Sequence, residues 1–178
     1  VEPEGAGDAT YPEPRRIYVK YPSIVSRQYD YLKNVVVLEV GARSLMEPTI
    51  PLYVQSIVET NYPNIRTSVQ NPLITTAAPQ KTFLEKVCLL HELFSANEHA
   101  DKADHRSRHL YDLERMMDMR FAVDAIKDDD LWNSIQHHRS IYTSVKNVDY
   151  TQDFRKEIML VPPTNVLSAW EEDYHYMC

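Results

Sequence analysis

The chain has 178 residues, with 19 Lys and Arg against 26 Asp and Glu, a formal net charge of −7 and 43% hydrophobic residues. These values describe one globular domain, or one and a half, with enough apolar material for a sizeable core. A net-acidic chain is a poor non-specific binder of nucleic acid, so no DNA partner is expected, although a local basic groove for one strand or nucleotide is compatible with the total.

Glycine is more restrictive. Only Gly5, Gly7 and Gly41 occur. Phosphate-cradling loops need several glycines, and no GxGxxG, GxxxxGKS/T or GxSxG can be written in this sequence. P-loop NTPases, Rossmann dehydrogenases and α/β-hydrolases are therefore excluded. Two cysteines, Cys88 in an apolar run and Cys178 at the end, make neither a disulfide framework nor a CxxC metal site, so a reduced, cytoplasmic setting is expected. No apolar stretch is long enough for a membrane span, and no basic-then-apolar signal opens the chain. The Glu/Pro/Gly-rich start, Val1 to Pro14, reads as a flexible segment over 1–15. It is either a stretch cut from something longer or a native terminus that lost its methionine.

In chain order, Ile17, Val19 and Tyr21 alternate with Tyr18 and Lys20, which predicts a strand over Arg16 to Tyr21. Val35 to Gly41 is β-branched and continuous, the pattern of a strand covered on both faces. Pro48 and Pro51 are expected to break the chain. Val54 to Tyr62 reads as a short helix or strand, and Ser68 to Thr76 as a weaker strand.

From Gln80 the period becomes helical, with helices predicted at Thr82 to Ala96, Arg106 to Met119, Asp130 to Val145 and Thr164 to Met177. Thr164 is a candidate N-cap after Pro162 and Pro163. Asp128-Asp129-Asp130 reads as an N-cap with dipole-favoured acids. Strands followed by helices make an α+β chain, with strands over 16–78 and a helical domain over 79–178.

Lys86 is the unusual residue of the first long helix. Projected at 100° per residue it falls among Phe83, Leu89, Leu90 and Leu93, whereas Glu85 and Glu92 fall on the opposite, polar edge. A lysine with its stem against the core calls for an anion, either a structural carboxylate or a phosphate ligand. Asp112 lies at the margin of the next helix's apolar face, with Arg108 and Arg115 at i−4 and i+3. Alone it would make an intrahelical ladder; an antiparallel hairpin would bring it toward Lys86. Glu39 in its Val-rich strand either faces a site or faces solvent. The seven histidines contain no HExxH; His91 reads as a core-edge residue and His109 as a satisfied one near Asp112. The aromatic residues read as packing rather than base-stacking platforms.

Three stretches together, Val37-Leu38-Glu39-Val40-Gly41-Ala42-Arg43, Lys81-Thr82-Phe83-Leu84-Glu85-Lys86 with Leu90-His91, and Ser107-Arg108-His109-Leu110-Tyr111-Asp112-Leu113, resemble the AbiEii/AbiGii abortive-infection toxin nucleotidyltransferases in order and spacing. Pro163 and Asp173-Tyr174-His175-Tyr176-Met177 match that family's C-terminal pattern. Lys81 and Leu84 stand where the family usually has arginine and tryptophan.

The resemblance implies part of a polymerase-β-like nucleotidyltransferase sheet followed by a C-terminal helical bundle. It also implies transfer of a nucleotide from a nucleoside triphosphate, with magnesium, to a protein or tRNA acceptor in a bacterial type IV toxin–antitoxin and phage-defence setting. On it, Lys86 and Asp112 are the catalytic candidates. Lys86, Arg43 and Arg108 are the nucleotide-binding candidates, and Glu39 is the candidate metal ligand. The family's glycine turn leading to two aspartates one residue apart is missing, so this chain alone is expected not to turn over. The rival expectation is a non-catalytic module that binds a protein partner such as an antitoxin.

Overall fold

Strand pairing in the N-terminal region follows from its β-branched runs. The computed structural model describes residues 3–4, 15–22, 34–41, 45–65, 71–96, 103 and 105–177. Its contacts divide the chain into two compact units, Val1–Ser44 and Leu45–Cys178. In the first, β1 (Pro3–Glu4), β2 (Arg15–Lys20) and β3 (Val35–Val40) form an antiparallel sheet in that order. Arg16 faces Glu39, Ile17 faces Leu38 and Tyr18 faces Val37.

The expectation that β3 is covered on both faces is overturned. Val36, Val37, Leu38 and Val40 are all exposed. A continuous apolar run records what a strand could bury, not that it is buried.

The second unit opens with β4 (Thr49–Tyr53), then α1 (Ile57–Asn61) and β5 (Leu73–Ala77). β4 and β5 pair antiparallel, with Pro51 opposite Thr75. Pro51 therefore does not break the chain: in a two-stranded sheet each strand has a free edge, where a residue without an N–H is tolerated. The undecided segment Val54 to Tyr62 is helical, and Ser56 caps it by accepting from the Glu59 N–H at 3.1 Å.

The helices are α2 (Pro79–Ser95), α3 (Ser107–Met116), α4 (Arg120–Ile126), α5 (Asp129–Tyr142) and α6 (Leu167–Met177), with a 3-10 turn at Phe154–Glu157. Sequence periodicity merges α3 with its exit turn and passes over α4, which is seven residues long. That helix buries only Ala122 and Ala125, too little apolar signal to mark a face. Asp128 caps α5 as predicted, its Oδ1 accepting from the Leu131 N–H at 2.9 Å. Thr164 does not cap α6, which starts three residues later, at Leu167, after a turn closed by Val166 N–H to the Pro163 carbonyl.

α2 is the central helix, in contact with α3, α4 and α5. Phe83, Leu84, Val87, Cys88, Leu90 and Phe94 all come from it. Around them Phe94 meets Trp170 edge-on at 4.9 Å, and Trp132 meets Phe154 at 5.1 Å. Burial pushes the Cys88 thiol up to about 12, which makes it an inert core residue.

Glu92 corrects the one-sided projection. It is 3% exposed rather than on a polar edge, because a helix packed by neighbours on several sides has no solvent face for it. Its carboxylate accepts from Arg139 Nε at 2.7 Å, from Arg139 Nη2, and from the Tyr150 hydroxyl at 2.8 Å. Removing one member of a buried pair leaves the other uncompensated, at a cost of about 3–5 kcal/mol, whereas replacing both with apolar groups is often neutral. Glu92→Gln is therefore expected to lower the urea unfolding free energy by about 3 kcal/mol, and the double variant Glu92→Leu/Arg139→Met to recover most of the loss; equal losses in both would show that packing, not charge pairing, sets the cost.

Candidate functional site

α2 begins with Pro79 at its first position, where a missing N–H costs nothing. Two turns on, Lys86 projects toward α3. Its Nζ lies 2.8 Å from Asp112 Oδ2 and 3.2 Å from His109 Nδ1. His109 and Asp112 are three residues apart on α3 and so share a face. The side chains are partly open, Lys86 at 21% and Asp112 at 41% exposure, so the pair stands at the margin of the core within reach of a ligand.

An ammonium only donates, so His109 receives its bond on an unprotonated Nδ1 and is the neutral tautomer with its proton on Nε2. Burial, then the positive charges of Lys86 and Arg108, bring the His109 pKa down to about 4. His109 thus orients Lys86 without cancelling its charge. Arg108 is exposed, and no residue among those described pairs with it. The intrahelical ladder from Arg108 and Arg115 to Asp112 does not form; Asp112 turns to the neighbouring helix instead.

The start of α3 is set from a distance. Arg106 precedes it without a side-chain cap. Asp173 of α6 supplies one, its two carboxylate oxygens accepting from the His105 N–H at 2.6 Å and the Ser107 N–H at 2.9 Å. The carboxylate is held below its ordinary pKa by these hydrogen bonds, which outweigh its desolvation. His105 takes a positive φ of 55° to present its N–H. Asp173 therefore fixes where α3 begins, and with it where His109 and Asp112 point.

Lys81 is the lysine that periodicity passed over. It is 4% exposed and donates to the Leu45 carbonyl, with Glu85 Oε1 3.9 Å away. It ties the segment before β4 to α2, a structural role that shows in the buried side of the helix projection once α2 is known to be covered all round.

Glu39 belongs to the other unit. It pairs across the sheet with Arg16 Nε at 2.7 Å, both side chains about half exposed. Arg43 lies outside the described residues. Among the described residues no three His, Cys, Asp or Glu groups gather as metal ligands. Glu39 is committed to Arg16 and Asp112 to Lys86, so the described residues do not by themselves compose a magnesium site, which needs carboxylate oxygens in near-octahedral geometry.

Among the described residues no helix is long and apolar enough to cross a membrane.

His109 makes the site sensitive to acid. Its folded pKa lies below its unfolded value, so between about pH 6.5 and 4 the unfolded chain binds a proton that the folded chain does not. The stability it contributes is complete above pH 6.5 and is lost as pH falls toward 4. At a half-buried group this amounts to about 1–2 kcal/mol after solvent screening. His109→Gln is expected to flatten that part of the stability–pH curve measured by urea unfolding; an unchanged acid limb would assign it to other groups.

Compared with known families, residues 2–175 match the family model described as nucleotidyl transferase AbiEii toxin, type IV TA system. No match was found among the curated proteins or among the solved structures.

Proposed function

The chain belongs to the nucleotidyl transferase AbiEii toxin family of type IV toxin–antitoxin systems, and from that premise we propose that it handles a nucleoside triphosphate at Lys86 and passes the nucleotide to a protein or tRNA acceptor. The observation that carries this reading is the interhelical contact of Lys86 with Asp112 at 2.8 Å and His109 at 3.2 Å. An ammonium has three donors. Among the described residues two are taken by α3, and the third suits a phosphate oxygen.

The electrostatics support the same reading. Asp112 is the one anion bonded to Lys86 among the described residues, His109 is neutral, and Arg108 adds a second positive charge beside it. Phosphoryl chemistry asks a protein mainly for positioned charge, because the transition state spreads negative charge over non-bridging oxygens. Lys86 supplies that charge and Arg108 reinforces it. Asp112 Oδ2 holds Lys86 in place. Its Oδ1 makes no hydrogen bond among the described residues, which suits it to take the proton of an attacking hydroxyl.

Magnesium and the nucleoside triphosphate are the companions expected of this chemistry. Glu39 and Arg43 stay candidates for metal and phosphate binding respectively. The setting we propose is the bacterial cytoplasm, in phage defence by abortive infection.

A second reading is favoured by one feature of the sequence: it contains no glycine turn leading to two aspartates one residue apart. On that reading the chain is a non-catalytic module that binds a protein partner such as an antitoxin.

Calorimetric titration with ATP, GTP, CTP and UTP, each with magnesium, tests the choice. A charge-assisted hydrogen bond to phosphate contributes about 1.5–3 kcal/mol, so Lys86→Ala is expected to weaken nucleotide binding roughly 10- to 100-fold. Asp112→Asn is expected to weaken it less while circular dichroism stays unchanged. Equal affinity in Lys86→Ala would remove Lys86 from the site, and absence of binding by the parent chain would favour the module.

A further inference from the structure

α3 opens on two polar groups that the fold buries without partners. Arg106 Nη1 is buried and has no hydrogen-bond partner, and neither has the Ser107 Oγ. Ser107 is 1% exposed, and its hydroxyl lies beside the Asp173 carboxylate without closing a hydrogen bond to it. The Arg106 side chain as a whole is partly open, and among the described residues no carboxylate forms an ion pair with it. Buried polar groups almost always find a partner, and each exception calls for an ion or ligand. A guanidinium is the costliest group to leave so, because it keeps its charge while its buried edge has given up water.

The place of Arg106 decides what that ligand is. Its backbone is already helical, with φ −96° and ψ −18°, so the repeat of α3 extends back through it. Arg106 stands one turn before His109, and His109 one turn before Asp112, so each is a surface neighbour of the next. Lys86 reaches His109 and Asp112 at 3.2 and 2.8 Å, and Arg106 lies about 4.5 Å further along the helix axis than His109.

The charge here is lopsided. Acting on the His109 ring are three cations, Lys86, Arg108 and Arg106, and one anion, Asp112. Asp173, the other carboxylate at this end of α3, is taken up by the His105 and Ser107 N–H groups. Positive charge drawn out along a turn of helix suits a ligand with several negative groups in a row, and a guanidinium fork matches phosphate oxygens in pairs.

We propose that Arg106 is a further phosphate-binding residue: a polyphosphate chain held at one end by Lys86 runs toward the start of α3 and presents a second phosphate group to the open edge of the Arg106 guanidinium. That phosphate supplies the counter-charge the buried edge lacks. The proposal rests on the nucleotide reading of Lys86 and extends it from one phosphate group to several.

The test is calorimetric titration of the full chain with inorganic tripolyphosphate, without magnesium so that the metal does not mask the anion. Saturable binding is expected, weakened roughly tenfold in Arg106→Gln with circular dichroism unchanged. Arg106→Lys keeps the charge without the fork, so it is expected to lose less, and it carries the test should the glutamine variant not fold. Arg115→Gln removes an exposed charge from the last turn of α3 and is expected to leave binding as it is. Loss in Lys86→Ala with none in Arg106→Gln, or equal losses in Arg106→Gln and Arg115→Gln, would overturn the Arg106 site while the Lys86 reading stands. Loss in Arg106→Gln with none in Lys86→Ala would keep a phosphate at Arg106 and take the nucleotide reading away from Lys86. No saturation by the parent chain at millimolar tripolyphosphate would overturn the proposal.

Discussion

α2 is covered on several sides, and three of its buried or half-buried charges, Lys81, Lys86 and Glu92, find partners outside the helix. An unpaired charge in that position would cost several kcal/mol. Lys81 reaches the Leu45 carbonyl, Lys86 reaches Asp112, and Glu92 reaches Arg139 and Tyr150. These polar contacts radiate from one helix. They define the register of its neighbours more sharply than the apolar core can, since hydrophobic contact has no preferred direction.

The Lys86 contact depends on a second such tie. α3 carries no cap of its own, so the placement of Asp112 rests on Asp173 reaching back from α6 to the His105 and Ser107 N–H groups. A helix start satisfied from within its own sequence can shift with its loop; one satisfied from another helix moves only with that helix. The order of dependence runs from α6 to α3 to Lys86, and Trp170 anchors α6 by packing on Phe94 of α2. Both members of the Lys86–Asp112 pair are thus referred to the same core.

Much of this was legible in the sequence, for reasons that also explain what was not. Long periodic segments such as α2 and α5 declare themselves because burying one face demands a 3.6-residue repeat. The Lys86–Asp112 meeting followed from one exposed-type residue on an apolar stripe and a polar connection compatible with a hairpin. α4 was illegible because two alanines bury as completely as larger residues while contributing little apolar pattern. Glu92 was misread because a single-face projection cannot represent a helix with neighbours on several sides. His109 was placed beside Asp112, yet its bond to Lys86 required knowing the interhelical distance. Asp173 stood out only as part of the C-terminal motif, and its capping role was illegible, since its partners lie 66 and 68 residues away.

Two neutral histidines, His91 on α2 and His109 on α3, each accept a hydrogen bond at Nδ1. His109 accepts from Lys86 and leaves that ammonium's charge intact. His91 accepts from the Met159 N–H and stacks on Phe154. In each case burial is the main cause that keeps the imidazole uncharged. Were either ring protonated, it would lose its Nδ1 acceptor role at once, because that nitrogen would become a donor facing another donor. Lys86 would be pushed from Asp112 in one place and the Met159 N–H would be unsatisfied in the other. The geometry of both regions therefore requires the neutral ring, and the apolar packing of α2 that enforces neutrality is the same packing that holds the fold.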